Sequence, residues 1–312
     1  MIPVLLRVDI DFSFGLRKGV PYILDVLDEY GVKATFFSVM GPDTASTHTR
    51  NFSKKGYLKR IMAMNPLKML VGFGPLFFLR GKLLPLKYVG SGHPGILKEI
   101  ADRGHELGLH SYNHAQWAGL WPELPDTYIE EDLKRAGDEY RKIFKKDFHL
   151  WGSPNWRTSE HLYRLLVDMG ALYTSNVRGN SPFFPKYGDT IYKTTELPIT
   201  MPALHELVQA GIKKHDTVKV LDKCLTSEYN QWVIHCYYEG ILERKMFENA
   251  LRHLADLGCA FYTFEQFFKQ IRTDTLPACE IDAVTVPGGI GSISCQKTFL
   301  ENNYFRYLKS VL

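Results

Sequence analysis

The chain has little of what marks several large classes of protein. It has five cysteines, scattered at 224, 236, 259, 279 and 295, with no Cys-x-x-Cys pair. That excludes a disulfide framework and a zinc ribbon, and reads as reduced thiols in a cytoplasmic protein. No run of 18 uncharged apolar residues occurs, so no spanning helix is expected. The opening "MIPVLLRVDIDFSFG" does not have the form of a signal peptide, because Asp9 and Asp11 interrupt a short apolar run. Excess charge is also missing: the formal net charge is +4, which gives no ground for nucleic-acid binding. There is no internal repeat and no low-complexity linker, so a single domain with insertions is expected. What is present is 312 residues, 45% hydrophobic and 23% charged, the composition of a folded globular protein.

Strand-like and helix-like segments alternate along the chain. "VLLRVDI" (4–10) is followed by a helical pattern at 19–31 that has Pro21 near its start and Gly31 just past its end. "VKATFFSV" (32–39), a helix at 95–104 and "HELGLHS" (105–111) repeat the theme. Residues 127–144 are strongly amphipathic, with Ile129, Leu133, Ala136, Tyr140 and Phe144 on one face. Strands at 148–153 and 171–176 flank a helix at 159–170, and later strands are expected near 191–197, 231–236 and 259–263. Repeated β-then-α units imply a parallel sheet. Seven to eight units within residues 1–272 predict a (β/α) barrel, distorted or incomplete, whose chemistry gathers at the C-terminal strand ends. Residues 273–312 read as an irregular tail packing back on the barrel, and its "PGGIGS" (287–292) as a turn.

A local absence marks an insertion at about 44–92. Residues 44–98 contain no Asp or Glu but ten Lys or Arg. Within them, residues 57–90 alternate apolar clusters with basic residues and are cut by Pro66, Pro75 and Pro85. That pattern suits a segment lying in an anionic membrane interface. The competing reading is a buried insertion over the barrel mouth.

Four stretches carry candidate chemistry. In "VDIDF" (8–12), Asp9 and Asp11 are two apart on a strand and share a face. Buried there they need a cation, a metal or a proton; in a turn they would simply be solvated. In "GLHSYNH" (108–114), a helical turn after Leu109 would make His110 and His114 neighbours able to share a metal. Catalytic Zn2+ sites use three protein ligands and leave a place for water, and Asp11 would complete the set. In "QWVIHCYYEG" (231–240), His235 ends an apolar strand, either as a satisfied core residue or facing the same mouth. In "WGSPNWRTSE" (151–160), Trp156 and Arg157 sit on a loop after a strand, with Arg157 either solvated or paired with an acid at the mouth.

Together these stretches resemble the NodB-homology polysaccharide deacetylases, the family 4 carbohydrate esterases. Within that group the chain is most similar to bacterial enzymes that deformylate undecaprenyl-phosphate-linked 4-deoxy-4-formamido-L-arabinose. "LRVDIDFSFGLRKGVP", "FFSVMGPD", "GLHSYNH", "NWRTS", "LPITMPAL", "IHCYYEG" and "SCQ" carry the likeness over nearly the whole chain. The resemblance implies a divalent metal, Zn2+ first with Mn2+ or Co2+ as alternatives, held by Asp11, His110 and His114. It implies Asp9 as general base and His235 as general acid, with Arg157 orienting Asp9 and Trp156 shaping the pocket. Arg178 and the basic residues of 50–87 become candidates for a substrate phosphate. The implied partners are a lipid-linked amino sugar and an anionic membrane surface, with the protein peripheral on the inner, cytoplasmic face. Three departures stand out: Asn176 and Tyr237 occupy places where the pattern has acids, and "PNWRTS" lacks the Arg-x-Pro form. The rivals are a soluble glycan N-deacetylase acting on chitin or peptidoglycan, and a non-catalytic membrane-associated module on the same scaffold.

Overall fold

The computed structural model describes residues 1–44, 68, 70–71, 74, 83–120, 124–285 and 292–301. Nine residues of β1 (Ile2–Ile10) form the central strand. Along it the pleat sorts side chains by parity. Val4, Leu6, Val8 and Ile10 join the large cluster beneath the helices, whereas Leu5 packs with Phe37, Leu150, Tyr173 and Leu197 inside the sheet. Arg7, Asp9 and Asp11 continue that inner row toward the strand's C-terminal end, and all three are buried.

The helix α1 (Val20–Glu29) leads to β2 (Thr35–Ser38), and α2 (Pro94–Asp102) to β3 (Glu106–Leu109). Next come α3 (His114–Leu120), α4 (Asp126–Phe144), β4 (Leu150–Trp151), α5 (Glu160–Asp168) and β5 (Tyr173–Thr174). A small hairpin, β6 (Phe184–Tyr187) and β7 (Thr190–Ile191), precedes β8 (Thr195–Glu196). The helices α6 (Leu204–Gln209) and α7 (Thr217–Cys224) lead to β9 (Asn230–His235). The barrel part ends with α8 (Arg244–Asp256), β10 (Cys259–Tyr262) and α9 (Phe264–Phe268).

The sheet runs β1-β2-β3-β4-β5-β8, all parallel, with β9 and β10 also parallel to β1. Residues just past β8 reach β9, where the Met201 amide donates to the Gln231 carbonyl at 3.0 Å. The result is an incomplete, distorted (β/α) barrel, as the alternation predicts. Its distortion is visible in β4, β5 and β8, which are two residues each.

The described residues beyond 272 are not irregular. β11 (Ala278–Thr285) and β12 (Ser292–Gln296) form an antiparallel pair that extends the β6–β7 hairpin into a second sheet. The tail seals the loops after β4 and β5. Ser294 Oγ accepts the Thr158 amide at 3.1 Å, and Gln296 Oε1 accepts the Asn180 amide at 2.8 Å. The glycine-rich run lies outside the described residues apart from Ser292.

Most of the basic insertion also lies outside the described residues. Of its interior, Lys68 is placed and reaches Glu243 Oε1 at 2.9 Å, and Val71 and Leu83 are exposed. Among the described residues no helix is long and apolar enough to cross a membrane.

Candidate metal centre

The C-terminal ends of β1, β3, β4 and β9 converge on one buried spot. Asp11 stands one residue beyond β1. His110 follows β3, and its Nε2 lies 3.5 Å from Asp11 Oδ1; His114 Nε2 lies 3.7 Å from the same oxygen. These three side chains place one ligand atom each within 4.8 Å of one another, and no other such group occurs among the described residues. The imidazoles do not meet through a helical turn, as the i,i+4 spacing suggested. The helix starts only at His114; before it, Ser111 takes a left-handed φ of 82°. That sparsely populated backbone folds the loop so that the rings stand 5.2 Å apart. Asp132 on α4 holds the turn from below, accepting the amides of Tyr112 at 2.8 Å and Asn113 at 2.9 Å.

The residues fit a divalent cation. His110 Nδ1 sits 2.6 Å from the Gly152 carbonyl, so its proton is committed there and Nε2 presents a lone pair. Burial, the main cause, pushes His110 down to about 4, so the ring is neutral at pH 7 and its approach to Asp9 and Asp11 is not an ion pair. Asp11 Oδ1 is buried with no hydrogen-bond partner. Burial raises the Asp11 carboxyl despite the neighbouring His235 and His110, a penalty that a bound cation would reverse.

Asp9 lies beside this set, with Oδ2 3.8 Å from His110 Nε2. The arginine that orients it is Arg7, where the family likeness suggested Arg157. Arg7 Nε and Nη2 fork onto the two Asp9 oxygens at 2.6 and 3.0 Å. Its Nη1 donates to the Ser175 carbonyl at 2.7 Å, and its guanidinium lies 4.5 Å over the Phe37 ring. The reason is parity: Arg7 precedes Asp9 by two residues on one strand, so both face inward. Burial alone would raise the Asp9 carboxyl; the Arg7 guanidinium outweighs it, helped by His110 and His235, and the net shift is downward. Arg157 is buried and donates from Nη1 to the Trp117 carbonyl at 3.0 Å, tying the β4 loop to α3.

His235 occupies the β9 position in register with Asp9 on β1. It is 8% exposed, its Nδ1 has no hydrogen-bond partner, and its ring meets His205 edge-on at 4.6 Å. Glu239 accepts the His235 amide at 2.7 Å. Burial pushes that carboxyl up to about 7. An acid therefore does stand beside His235, two residues beyond Tyr237. Tyr237 instead joins an aromatic wall: the Phe12 ring lies 5.3 Å from Tyr237, 5.3 Å from Phe14 and 6.3 Å from His114.

Asn176 and Arg178 both reach protein partners. Asn176 Oδ1 accepts from Ser153 Oγ at 2.8 Å, and its Nδ2 faces Glu196 Oε2 at 3.3 Å. An aspartate there would set a second carboxylate against Glu196, which accounts for the amide. Arg178, expected as a phosphate ligand, is 1% exposed and forks onto Glu206 at 2.6 and 2.8 Å. Its Nη1 also faces the Met201 carbonyl at 3.4 Å, and the Trp156 ring lies 4.2 Å beneath the guanidinium. Trp156 itself adopts φ 51° and is half-buried, packed against Ile199 and Val233 and against Ile293 and Cys295.

A family model described as polysaccharide deacetylase matches residues 6–174. A protein of Wigglesworthia glossinidia brevipalpis named as a 4-deoxy-4-formamido-L-arabinose-phosphoundecaprenol deformylase, ArnD, is 27% identical, covering 92% of this chain and all of its own. The protein of that name from Shewanella sediminis is 24% identical, covering 95% of each chain. A solved polysaccharide deacetylase structure from Mycobacterium smegmatis shares the fold, with a TM-score of 0.58 at 16% identity over 88% of this chain and 92% of that one. With its acid pair, two histidines and barrel accounted for, the chain belongs to the polysaccharide deacetylase family.

Proposed function

We propose that the protein hydrolyses the N-formyl or N-acetyl amide of an amino sugar, most specifically a 4-formamido-arabinose carried on a polyprenyl phosphate. The observation that carries this reading is the orphaned Asp11 oxygen facing two imidazoles, with an arginine-clamped carboxylate next to it. A divalent cation held by Asp11, His110 and His114, Zn2+ by the chemistry of this donor set, would supply Lewis acidity and lower the pKa of bound water. Asp9 takes the proton as water attacks the acyl carbon. Arg7 fixes both Asp9 oxygens, so the lone pair that accepts the proton is already aimed. His235, across the β1–β9 register, gives a proton to the sugar nitrogen, which is a poor leaving group until it is protonated. The C–N bond breaks, and the free amino sugar and formate or acetate leave. Phe12, Phe14 and Tyr237 give the sugar ring a face to pack on.

The relatives' names support the lipid-linked formamido sugar, and the acid-free segment 44–98 supports action at the inner membrane surface. A soluble glycan deacetylase has no use for that segment. The test is incubation of metal-loaded protein with the lipid-linked formamido sugar and with its acetamido analogue, assaying formate and acetate. Release of formate supports the reading; release of neither acid refutes it.

A further inference from the structure

The turn after β9 buries an acid that the reaction proposed above leaves without a role. Glu239 is fully buried and accepts the His235 amide through Oε2 at 2.7 Å. Among the described residues no lysine or arginine forms an ion pair with it: Lys68 and Lys214 reach Glu243 at 2.9 and 2.6 Å, and Arg178 reaches Glu206 at 2.6 Å. Among the same residues its Oε1 has no hydrogen-bond partner, and neither has His235 Nδ1. Buried polar atoms are rarely left so. The carboxylate oxygen is an acceptor, and Nδ1 is a donor once the ring is an imidazolium. The two atoms belong to residues that Oε2 already joins.

An acid needed only to hold one amide could as well be a glutamine, and a buried carboxylate is expensive. We propose that Glu239 is a positioning residue for His235: it fixes the exit of β9 and sets a negative charge against the ring while the ring carries the proton destined for the sugar nitrogen. This rests on the amidohydrolase reading above. The other acids at the mouth are committed, Asp9 to Arg7 and Asp11 to the metal set. As the C–N bond breaks, its electron pair stays on nitrogen and the His235 proton joins it. The neutral ring takes a proton from water before the next turnover, and Glu239 neither gains nor loses one.

The surroundings keep both residues in place. The turn Tyr238–Leu242 is closed by the Glu243 amide, which donates to the Tyr238 carbonyl at 2.8 Å. Gly240 lies against Gly19 so closely that a Cβ on it would stand 2.6 Å from Gly19 Cα. The His235 ring meets His205 edge-on at 4.6 Å and Tyr237 at 5.7 Å, so it is flanked on both sides. After burial, His235 is the largest influence on the Glu239 carboxyl, and it draws that carboxyl down.

The test compares two substrates on the full metal-loaded chain: the lipid-linked formamido sugar, and the same compound with its formyl group on oxygen in place of nitrogen. The leaving oxygen of an ester depends far less on protonation than the nitrogen of an amide. Glu239→Gln keeps an acceptor for the His235 amide and deletes the charge, and Co2+ stoichiometry checks that the variant is folded around an intact site. Its kcat on the amide should fall roughly thirtyfold or more with KM within about twofold, while the ester loses less than about threefold. In a His235→Ala background the same substitution should cost nothing further, because its effect passes through that ring. The proposal is overturned if Glu239→Gln cleaves the amide as wild type does, if amide and ester fall equally, or if the cost persists without His235. It is also overturned by a wild type that cleaves the amide but not the ester, since protonation of the leaving group would then not be what limits turnover. A wild type that cleaves neither compound refutes the amidohydrolase reading itself and this proposal with it, an outcome distinct from the others.

Discussion

Arg7 offers the sharpest test of how the interior of the barrel is held. Its side chain is fully buried, and four polar contacts satisfy it: two on Asp9 at 2.6 and 3.0 Å and two on Ser175, carbonyl and Oγ, at 2.7 and 3.0 Å. Arg7→Met keeps an unbranched stem of similar length and deletes every one of them. Asp9 is then a buried carboxylate without its cation, and the Ser175 carbonyl loses the arginine as donor while Ser175 Oγ keeps Gln231 Nε2 at 2.7 Å. Breaking a buried ion pair from one side costs about 3–5 kcal/mol. For a chain of this size that lowers the unfolding temperature by roughly 10 °C. Turnover should fall about a hundredfold or more, because Asp9 is no longer aimed. Removing both partners leaves no stranded charge, so Arg7→Met/Asp9→Asn should recover most of the lost stability while staying inactive. The assay is a double-mutant cycle by calorimetry at pH 7, with metal-loaded protein throughout. If the double variant is as unstable as Arg7→Met alone, the argument from an unpaired buried charge is wrong. If Arg7→Met is inactive but as stable as wild type, the pair aims Asp9 without holding the interior together.

Other outcomes follow from the same geometry. Asp9→Asn should keep its metal and lose turnover by roughly a hundredfold to ten-thousandfold; normal turnover would remove Asp9 as base. A Cβ on Gly19 would stand 2.1 Å from the Cys236 carbonyl oxygen, so Gly19→Ala should push the β9 exit away from β1. Turnover should drop at least tenfold with metal content unchanged, and an unaffected enzyme would show that the His235 loop is not held by that contact. Burial drives Glu196 up to about 7 from 4.5, outweighing its donors Thr174, Asn176, Tyr163 and Val177. The folded state therefore binds this proton more tightly than the unfolded chain. Its stabilising contribution is complete below pH 4.5 and declines as pH rises to 7, by roughly 3 kcal/mol. Glu196→Gln should flatten that slope in urea titrations; an unchanged slope would assign it to other groups.

How much of this is legible in the sequence depends on whether a pattern is local. The barrel is legible because each unit announces itself: Pro21 and Gly31 bound α1, and the amphipathic run 127–144 is α4 almost to the residue. Asp9, Asp11 and the two histidines stand out because buried-strand acids and paired imidazoles are unusual in apolar surroundings. Arg7 carried an available signal, an arginine two before an inward acid, which the motif likeness to the Arg157 loop obscured. Glu239 and Asp132 had no local signal, since their roles depend on which backbone amides the fold brings to them. The convergence of His110 and His114 depends on a left-handed Ser111, which residue spacing does not encode. The second sheet is also long-range: β11 pairs with β6 across about ninety residues, and short strands with half-buried faces leave a weak alternation.

The central claim is that Asp11, His110 and His114 share one cation, and Co2+ titration followed by visible absorption and elemental analysis tests it most directly. Wild type should bind one equivalent per chain with ligand-field bands of an imidazole–carboxylate site, and Asp11→Ala, His110→Ala and His114→Ala should each lose the bands and the metal. A folded wild type that binds no cation, or three variants that bind it as wild type does, would contradict the account.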